Sequence, residues 1–216
     1  MKRLIVLTII IFLFTSGSTF GQEKQRRFTV FASVPLIYDD DFGFEKTNPG
    51  LGIVIDYDKP FSSRGISWIT TVDFSAVGYK NKSFAAVRYP EDPLLYPKYT
   101  KSFYNLSLMT GFKNQFKITS FLNGYGLIQT GFRIAKPPDY SEEHNSEPIR
   151  EWSFDPFGSV GIGVGGGLVF NEKYNTGVRF YVFQDNHSSA KNKGGNYTRH
   201  FYTHSLLILL TFGFQL

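Results

Sequence analysis

Hydrophobic residues along this chain recur at every second position, again and again, with almost no charge on the apolar side. Leu51 to Asp58 sets Leu51, Ile53, Ile55 and Tyr57 against Asp56 and Asp58. Ile66 to Tyr79 places Ile66, Trp68, Thr70, Val72, Phe74 and Ala76 opposite Ser67, Thr71, Asp73 and Ser75. Such alternation is the signature of a strand with two unlike faces. The same reading marks strands at Phe28 to Tyr38, Ser102 to Phe112, Thr119 to Ile134, Phe154 to Phe170, Thr176 to Asp185 and Tyr202 to Leu216. The last of these is the most telling. Tyr202, His204, Leu206, Ile208, Leu210, Phe212, Phe214 and Leu216 share one face, which stays apolar to the final residue.

Between these strands the connections alternate in length. Those after the first, third, fifth and seventh strands take roughly 11 to 22 residues and carry most of the prolines and charges, whereas the others take about 5 to 7, judged from Gly, Pro, Asn and Asp turn signals. A short turn is expected near Asn114, another over Asn171 to Asn175, and long loops over Lys80 to Lys101, Ala135 to Ser153 and Asn186 to Arg199. An even strand count with long connections at one end and short turns at the other describes an all-β, eight-stranded antiparallel up-and-down transmembrane β-barrel, wet or packed inside and facing lipid outside.

A soluble rival has to be weighed, because alternation does not say which face is inside. A secreted calycin-type barrel would turn the apolar face inward around a small apolar ligand. Its outer face would then scatter Lys and Glu along each strand. Here the charges sit in the connections, and the first strand lacks the Gly-x-Trp opening of lipocalins.

Composition points the same way. Aromatic residues make up 18% of the chain, with 23 Phe and 13 Tyr, as expected of barrels that gather aromatic girdles at both membrane interfaces. Lys2 and Arg3, the apolar run Leu4 to Phe14 and the small and polar residues up to Gly21 read as a secretory signal over residues 1–21, cleaved before Gln22. The run is too short for the ~20 residues of a spanning helix. Residues 22–216 are then expected to form one barrel domain. The chain has no Cys, so disulfide staples and thiolate metal sites are absent. The formal net charge of +5 falls by two with the leader, and no basic run suggests nucleic acid.

The chain resembles the small eight-stranded outer-membrane barrels of Gram-negative bacteria in its strand pattern, its loop asymmetry and its terminal aromatic strand. It departs from them in ending on Leu216 in place of Phe. The resemblance implies an integral outer-membrane protein, exported through its signal, folded by the barrel assembly machinery and surrounded by lipid and lipopolysaccharide. It implies a non-enzymatic role in recognition, adhesion, envelope integrity or assembly, with no cofactor.

A barrel of eight strands is only wide enough for its own side chains. Asp56, Asp73, Gln129, Arg133 and Arg179 are therefore expected to form a polar lumen network, with Asp73 paired to Arg133 or Arg179 because a lone buried charge is costly. Gly158, Gly161, Gly163, Gly165, Gly166 and Gly167 do not make a phosphate loop, since no helix or Lys-Ser/Thr pair follows. On a strand they make room for bulky neighbours. His187-Ser188-Ser189 looks like the His-x-Ser element of the lipid A deacylase barrels, which makes His187 and Ser189 the nearest thing to a catalytic pair and a lipid A-modifying esterase the enzymatic alternative. No Asp or Glu follows Asp185 to orient the base. His200 and His204 would sit ~13 Å apart along a strand, too far to share zinc. Lys191, Lys193 and Arg199 make the last loop the most basic one and are the candidates for contact with lipopolysaccharide phosphates.

Overall fold

Among the described residues thirteen strands make up two sheets, and eight of the strands close on themselves. The computed structural model describes residues 26–39, 48–60, 65–78, 96–99, 102–145, 147–185, 188–192, 198–201 and 204–216. The strands are β1 (Arg27–Asp39), β2 (Leu51–Pro60), β3 (Ile66–Val77), β4 (Tyr96–Tyr99), β5 (Phe103–Lys117), β6 (Leu122–Lys136), β7 (Tyr140–His144), β8 (Glu147–Phe154), β9 (Phe157–Phe170), β10 (Tyr174–Asp185), β11 (Ser188–Asn192), β12 (Thr198–Phe201) and β13 (His204–Gln215). None of the described residues is helical. The closed barrel runs β1-β13-β10-β9-β6-β5-β3-β2, and antiparallel pairing of β1 with β2 completes the circle. The leader read at residues 1–21 lies outside the described residues.

The apolar faces of the alternating segments point outward. Leu51, Ile53, Phe74, Leu106, Ile128, Phe132, Ile162, Phe212 and Phe214 are exposed, Ile162 by 67% and Phe212 by 64%. Their neighbours of opposite parity are buried inside, among them Asp56, Asp73, Ser107, Gln129, Arg133, Arg179, Leu207 and Leu209. A strand of 12 residues such as β3, rising ~3.3 Å per residue and tilted, can cross the hydrocarbon layer. Hydroxyls on the outer face turn back to the wall. Thr110 Oγ1 donates to Ile69 O at 3.3 Å, and Thr130 Oγ1 to Gly161 O at 3.1 Å. Toward the end of the barrel where β1 begins and β13 ends, outward aromatics pair across strands: Phe28 with Tyr57 at 5.0 Å, Trp68 with Phe112 at 5.2 Å and Tyr174 with Phe214 at 5.9 Å.

β13 is the closing strand. It is paired to β1 from Asp39↔Ser205 to Thr29↔Gln215, and Leu216 N donates to Phe28 O at 2.7 Å. The apolar end read in the sequence is thus stitched into the wall. The β9–β10 turn is tight: Lys173 N donates to Phe170 O at 3.0 Å, and Asn171 and Glu172 both take positive φ, 49° and 58°, the pattern of a type I′ hairpin turn. Gly65, with φ 82°, opens β3 where any Cβ would lie 2.0 Å from Gln115 O.

Two expectations are corrected. The strand read as Ser102 to Phe112 runs on to Lys117, so Asn114 sits in the ladder opposite Gly126 and the turn falls at residues 118–121. Lys113 faces inward to an acid, so its charge does not mark a turn. The long loops are also more ordered than read. β4, β7, β8, β11 and β12 lie within three of them and form a second sheet of order β12-β11-β8-β7-β4. These strands are four to eight residues long and carry Pro97 and Pro148, which hides them from a periodicity reading. Ser141, Glu142, Trp152 and Phe154 are buried in or beside it, and Asp139 Oδ1 accepts from Phe154 N at 3.3 Å.

Candidate functional site

Most buried polar side chains of the described residues lie in the lumen, and each strand delivers them there because its inward positions share one parity. Nearest the start of β1 and the end of β13, Lys113 Nζ donates to Asp58 Oδ2 at 2.7 Å and lies 4.8 Å from the centre of the Tyr125 ring. Both partners are buried.

Above this pair sits a layer that ties four strands together. Arg179 on β10 reaches Asp56 on β2 with two bonds, Nη1 to Oδ1 at 2.9 Å and Nη2 to Oδ2 at 2.5 Å. Thr71 Oγ1 donates to Asp56 Oδ1 at 2.7 Å and accepts from Arg179 Nη1 at 3.2 Å and from Gln129 Nε2 at 2.8 Å. Its one proton and both lone pairs are therefore used. Tyr181 OH closes the chain by donating to Gln129 Oε1 at 2.9 Å. The Arg179 guanidinium also lies 5.1 Å from the Phe31 ring. A fork-on-carboxylate pair of this kind is strong only when dry and fully bonded, and both side chains here are at most 1% exposed.

Toward the other mouth Arg133 and Asp73 take different partners. Arg133 Nε donates to Ser159 Oγ at 2.9 Å and its Nη2 to Ser205 Oγ. Its guanidinium stands 4.3 Å from the Phe183 ring, with Phe103 and Phe157 at 5.9 Å. Asp73 Oδ2 accepts from Asn105 Nδ2 at 2.6 Å, Ser75 Oγ at 3.3 Å and Ser107 Oγ at 3.5 Å.

All five lumen residues read from the sequence, Asp56, Asp73, Gln129, Arg133 and Arg179, face inward and are buried. Asp56, Gln129 and Arg179 meet in one layer. The pairing expected for Asp73 is not the one formed: Arg179 goes to Asp56, and Arg133, although in the same cross-strand row as Asp73 through Ser107, turns toward Ser159 and Ser205. The sequence reading sets Asp58 and Thr71 on the polar face without naming them in the network, and misses Lys113 and Tyr181. Parity alone is the signal that finds them.

The glycines explain how such large side chains fit. A Cβ on Gly161 would lie 2.5 Å from Phe183, on Gly163 2.1 Å from Tyr181, on Gly165 3.0 Å from Arg179 and on Gly167 2.7 Å from Tyr125 Oη. Four inward glycines on β9 thus make room for the rings and for the Arg179 stem of its neighbours. Gly158 and Gly166 have the opposite parity and face outward.

Among solved structures, a major outer membrane protein from Thermus thermophilus matches with a TM-score of 0.51 at 9% identity, over 89% of this chain and 100% of that one. This is the architecture of the small outer-membrane β-barrels. Neisserial surface protein A is also similar, at 14% identity over 88% of this chain and 96% of that one, with a TM-score of 0.47. OprG from Pseudomonas aeruginosa matches at 12% identity over 90% of this chain and 97% of that one, with a TM-score of 0.46. No family model and no curated protein matches the chain.

Of the other candidates, Ser189, Lys191 and Arg199 lie on strands of the second sheet. Ser189 is on β11, its backbone opposite His200 of β12, and Lys191 stands opposite Thr198. Arg199 is on β12. His187 and Lys193 lie outside the described residues. Among the described residues no cluster of His, Asp or Glu could hold a metal ion.

Proposed function

We propose that this barrel is anchored in the bacterial outer membrane and serves recognition or adhesion through its second sheet, with no reaction of its own. The observation that carries this reading is the pairing of two features. A largely apolar belt faces outward around a lumen packed with side chains, and strands within three of the long connections, at the end away from the start of β1 and the end of β13, gather into a five-stranded sheet. Side chains fill the interior, so the wall is an anchor and the surface available for partners is at that sheet. Loops on a rigid scaffold are where binding residues usually lie. In this reading the basic residues Lys191, Lys193 and Arg199 sit at the outer-leaflet headgroups and meet lipopolysaccharide phosphates, each contact contributing ~1 kcal/mol at an anionic surface and weakening with salt.

The chain has no Cys, so single cysteines report topology cleanly. A membrane-impermeant maleimide on intact cells should label Cys at Asn192 and leave Cys at Glu172 unlabelled. The reverse pattern would invert the barrel and remove the second sheet from the cell surface. With the topology established, replacing Lys191, Lys193 and Arg199 by Gln should loosen lipopolysaccharide association in low salt. Unchanged association would take those three cations out of the reading.

A further inference from the structure

Asn114 breaks the apolar outer face of β5. Phe112 precedes it on that face and Phe116 follows it, exposed by 49% and 54%, and Ile118 and Phe121 lie exposed in the turn beyond. Its amide is therefore set inside the belt, exposed, and among the described residues nothing bonds it. The outward threonines behave otherwise, since Thr110 and Thr130 turn their hydroxyls back to the wall. An amide that meets hydrocarbon without a partner is costly.

Beside this amide runs a groove of about 390 Å³, lined by Ile66, Phe112, Asn114, Phe116, Gly126 and Ile128. The register accounts for it. Ile66 lies opposite Asn114, Asn114 opposite Gly126, and Gly126 opposite Gly166, with both glycines facing outward. A Cβ on Gly126 would have Gly165 O at 4.0 Å as its nearest neighbour, and one on Gly166 would meet backbone atoms of Tyr125 and Gly126, so no side chain lies over either within that distance. Gly124, the next outward residue on β6, is covered, with the Phe116 ring 2.6 Å from the place of its Cβ. The floor is thus bare backbone, and Phe116 walls it on one side.

The groove lies toward the end of the barrel where β1 begins and β13 ends, next to the Trp68–Phe112 pair. Cations stand at this rim. Lys59 has outward parity and lies opposite Trp68, and Lys117 is exposed at the end of β5. Among the described residues of the rim between the end of β2 and the start of β6, the acid is Asp58, which is buried against Lys113.

We propose that this groove seats an anionic glycerophospholipid. One acyl chain lies over Gly126 and Gly166 between Phe112, Phe116 and Ile128, an ester carbonyl accepts from Asn114 Nδ2, and the phosphate faces Lys59 and Lys117. A glycerophospholipid carries phosphate, ester and acyl chain in that order, and the wall offers cation, amide and apolar groove in the same order. Lys117 stands three residues from Asn114, ~10 Å along the strand. The rim cations favour an anionic headgroup over a zwitterionic one. The inference rests on the barrel being a membrane anchor, but not on which mouth faces the cell surface, so an inverted topology leaves its test unaffected.

The chain has two tryptophans, and Trp152→Phe leaves Trp68 as a reporter beside the groove. The refolded barrel in zwitterionic micelles is titrated with phosphatidylglycerol or phosphatidylcholine brominated on the acyl chains, and Trp68 quenching is read. Quenching should saturate, and at a lower mole fraction of phosphatidylglycerol. Gly126→Leu fills open space on the outer wall and should leave only weak, non-saturating quenching, in a barrel that keeps its heat-dependent gel shift. Asn114→Leu removes no bond within the protein, so a structural role predicts no change in lipid response, whereas the site predicts half-saturation at about tenfold higher lipid, the scale of one lost hydrogen bond. Lys59→Gln with Lys117→Gln should erase the preference between the two lipids. Non-saturating quenching of equal strength by both lipids would overturn the proposal, as would a wild-type response in Gly126→Leu or Asn114→Leu. Self-association of the barrel that Gly126→Leu abolishes, with Trp68 indifferent to lipid, would also overturn it and assign the groove to a second copy of the chain.

Discussion

Replacing Arg179 with Met is expected to cost the barrel ~3 to 5 kcal/mol, because it strands a buried carboxylate that has lost its cation. Asp56 would keep the Thr71 hydroxyl at 2.7 Å, but both of the bonds from Arg179 would go, and with them the link between β10 and β2. The readout is the urea midpoint of the refolded protein, followed by the heat-dependent gel shift of the folded barrel. A second substitution separates a stranded charge from lost packing. Arg179→Met combined with Asp56→Leu removes both charges, and a buried pair exchanged for apolar groups is often neutral. The double variant should recover most of the lost stability. If the single variant unfolds like the wild type, the pair is not dry.

Gly163→Val is also expected to destabilise the barrel, through volume instead of charge. The added Cβ would lie 2.1 Å from Tyr181 Cδ1 and 2.4 Å from Cε1. The ring is held at its far end by the hydroxyl bond to Gln129, so it cannot swing aside without opening the Thr71–Gln129 layer. Overpacking of a closed core costs ~1 to 3 kcal/mol or more, and in a barrel the strain falls on the β9–β10 ladder that must form for closure. Gly163→Ala with Tyr181→Leu should fold better than Gly163→Ala alone. A Gly163→Val barrel with wild-type yield and midpoint would show that the inward glycines are not spacers.

How much of this is legible in the sequence follows from what a strand's periodicity encodes. The face of each residue is set by parity, and parity places Asp56, Asp73, Gln129, Arg133 and Arg179 inside and Leu106, Ile208 and Phe212 outside. Height along the barrel is set by register between strands distant in sequence, and nothing local records it. That is why the expected partner of Asp73 is of the wrong kind: Arg133 shares its row, yet extends toward Ser205, while Arg179 on β10 meets Asp56 across the barrel. Lys113 is missed for a different reason. Its charge beside Asn114 imitates a turn, and only the acid at Asp58, on a strand that is not a neighbour of β5 in the barrel, reveals it as a lumen residue. Tyr125, Tyr181 and Phe183 escape notice because an aromatic-rich barrel invites assigning its rings to the lipid face. The inward glycines facing them on β9 are the available clue. The strands of the second sheet are illegible since they are short, interrupted by proline and charged.

The central claim is that the even positions of β13 face lipid and the odd ones the interior. It is tested most directly by spin labels placed singly at Leu209, Leu210, Thr211 and Phe212 in the refolded barrel in bilayers, the cysteine-free chain allowing each label without background. The structure predicts that labels at Leu210 and Phe212 collide with lipid-dissolved oxygen and are shielded from an aqueous nickel chelate, and that labels at Leu209 and Thr211 are protected from oxygen. Labels at Leu210 and Phe212 that are reached by the chelate and not by oxygen would put the apolar face away from lipid and contradict the account.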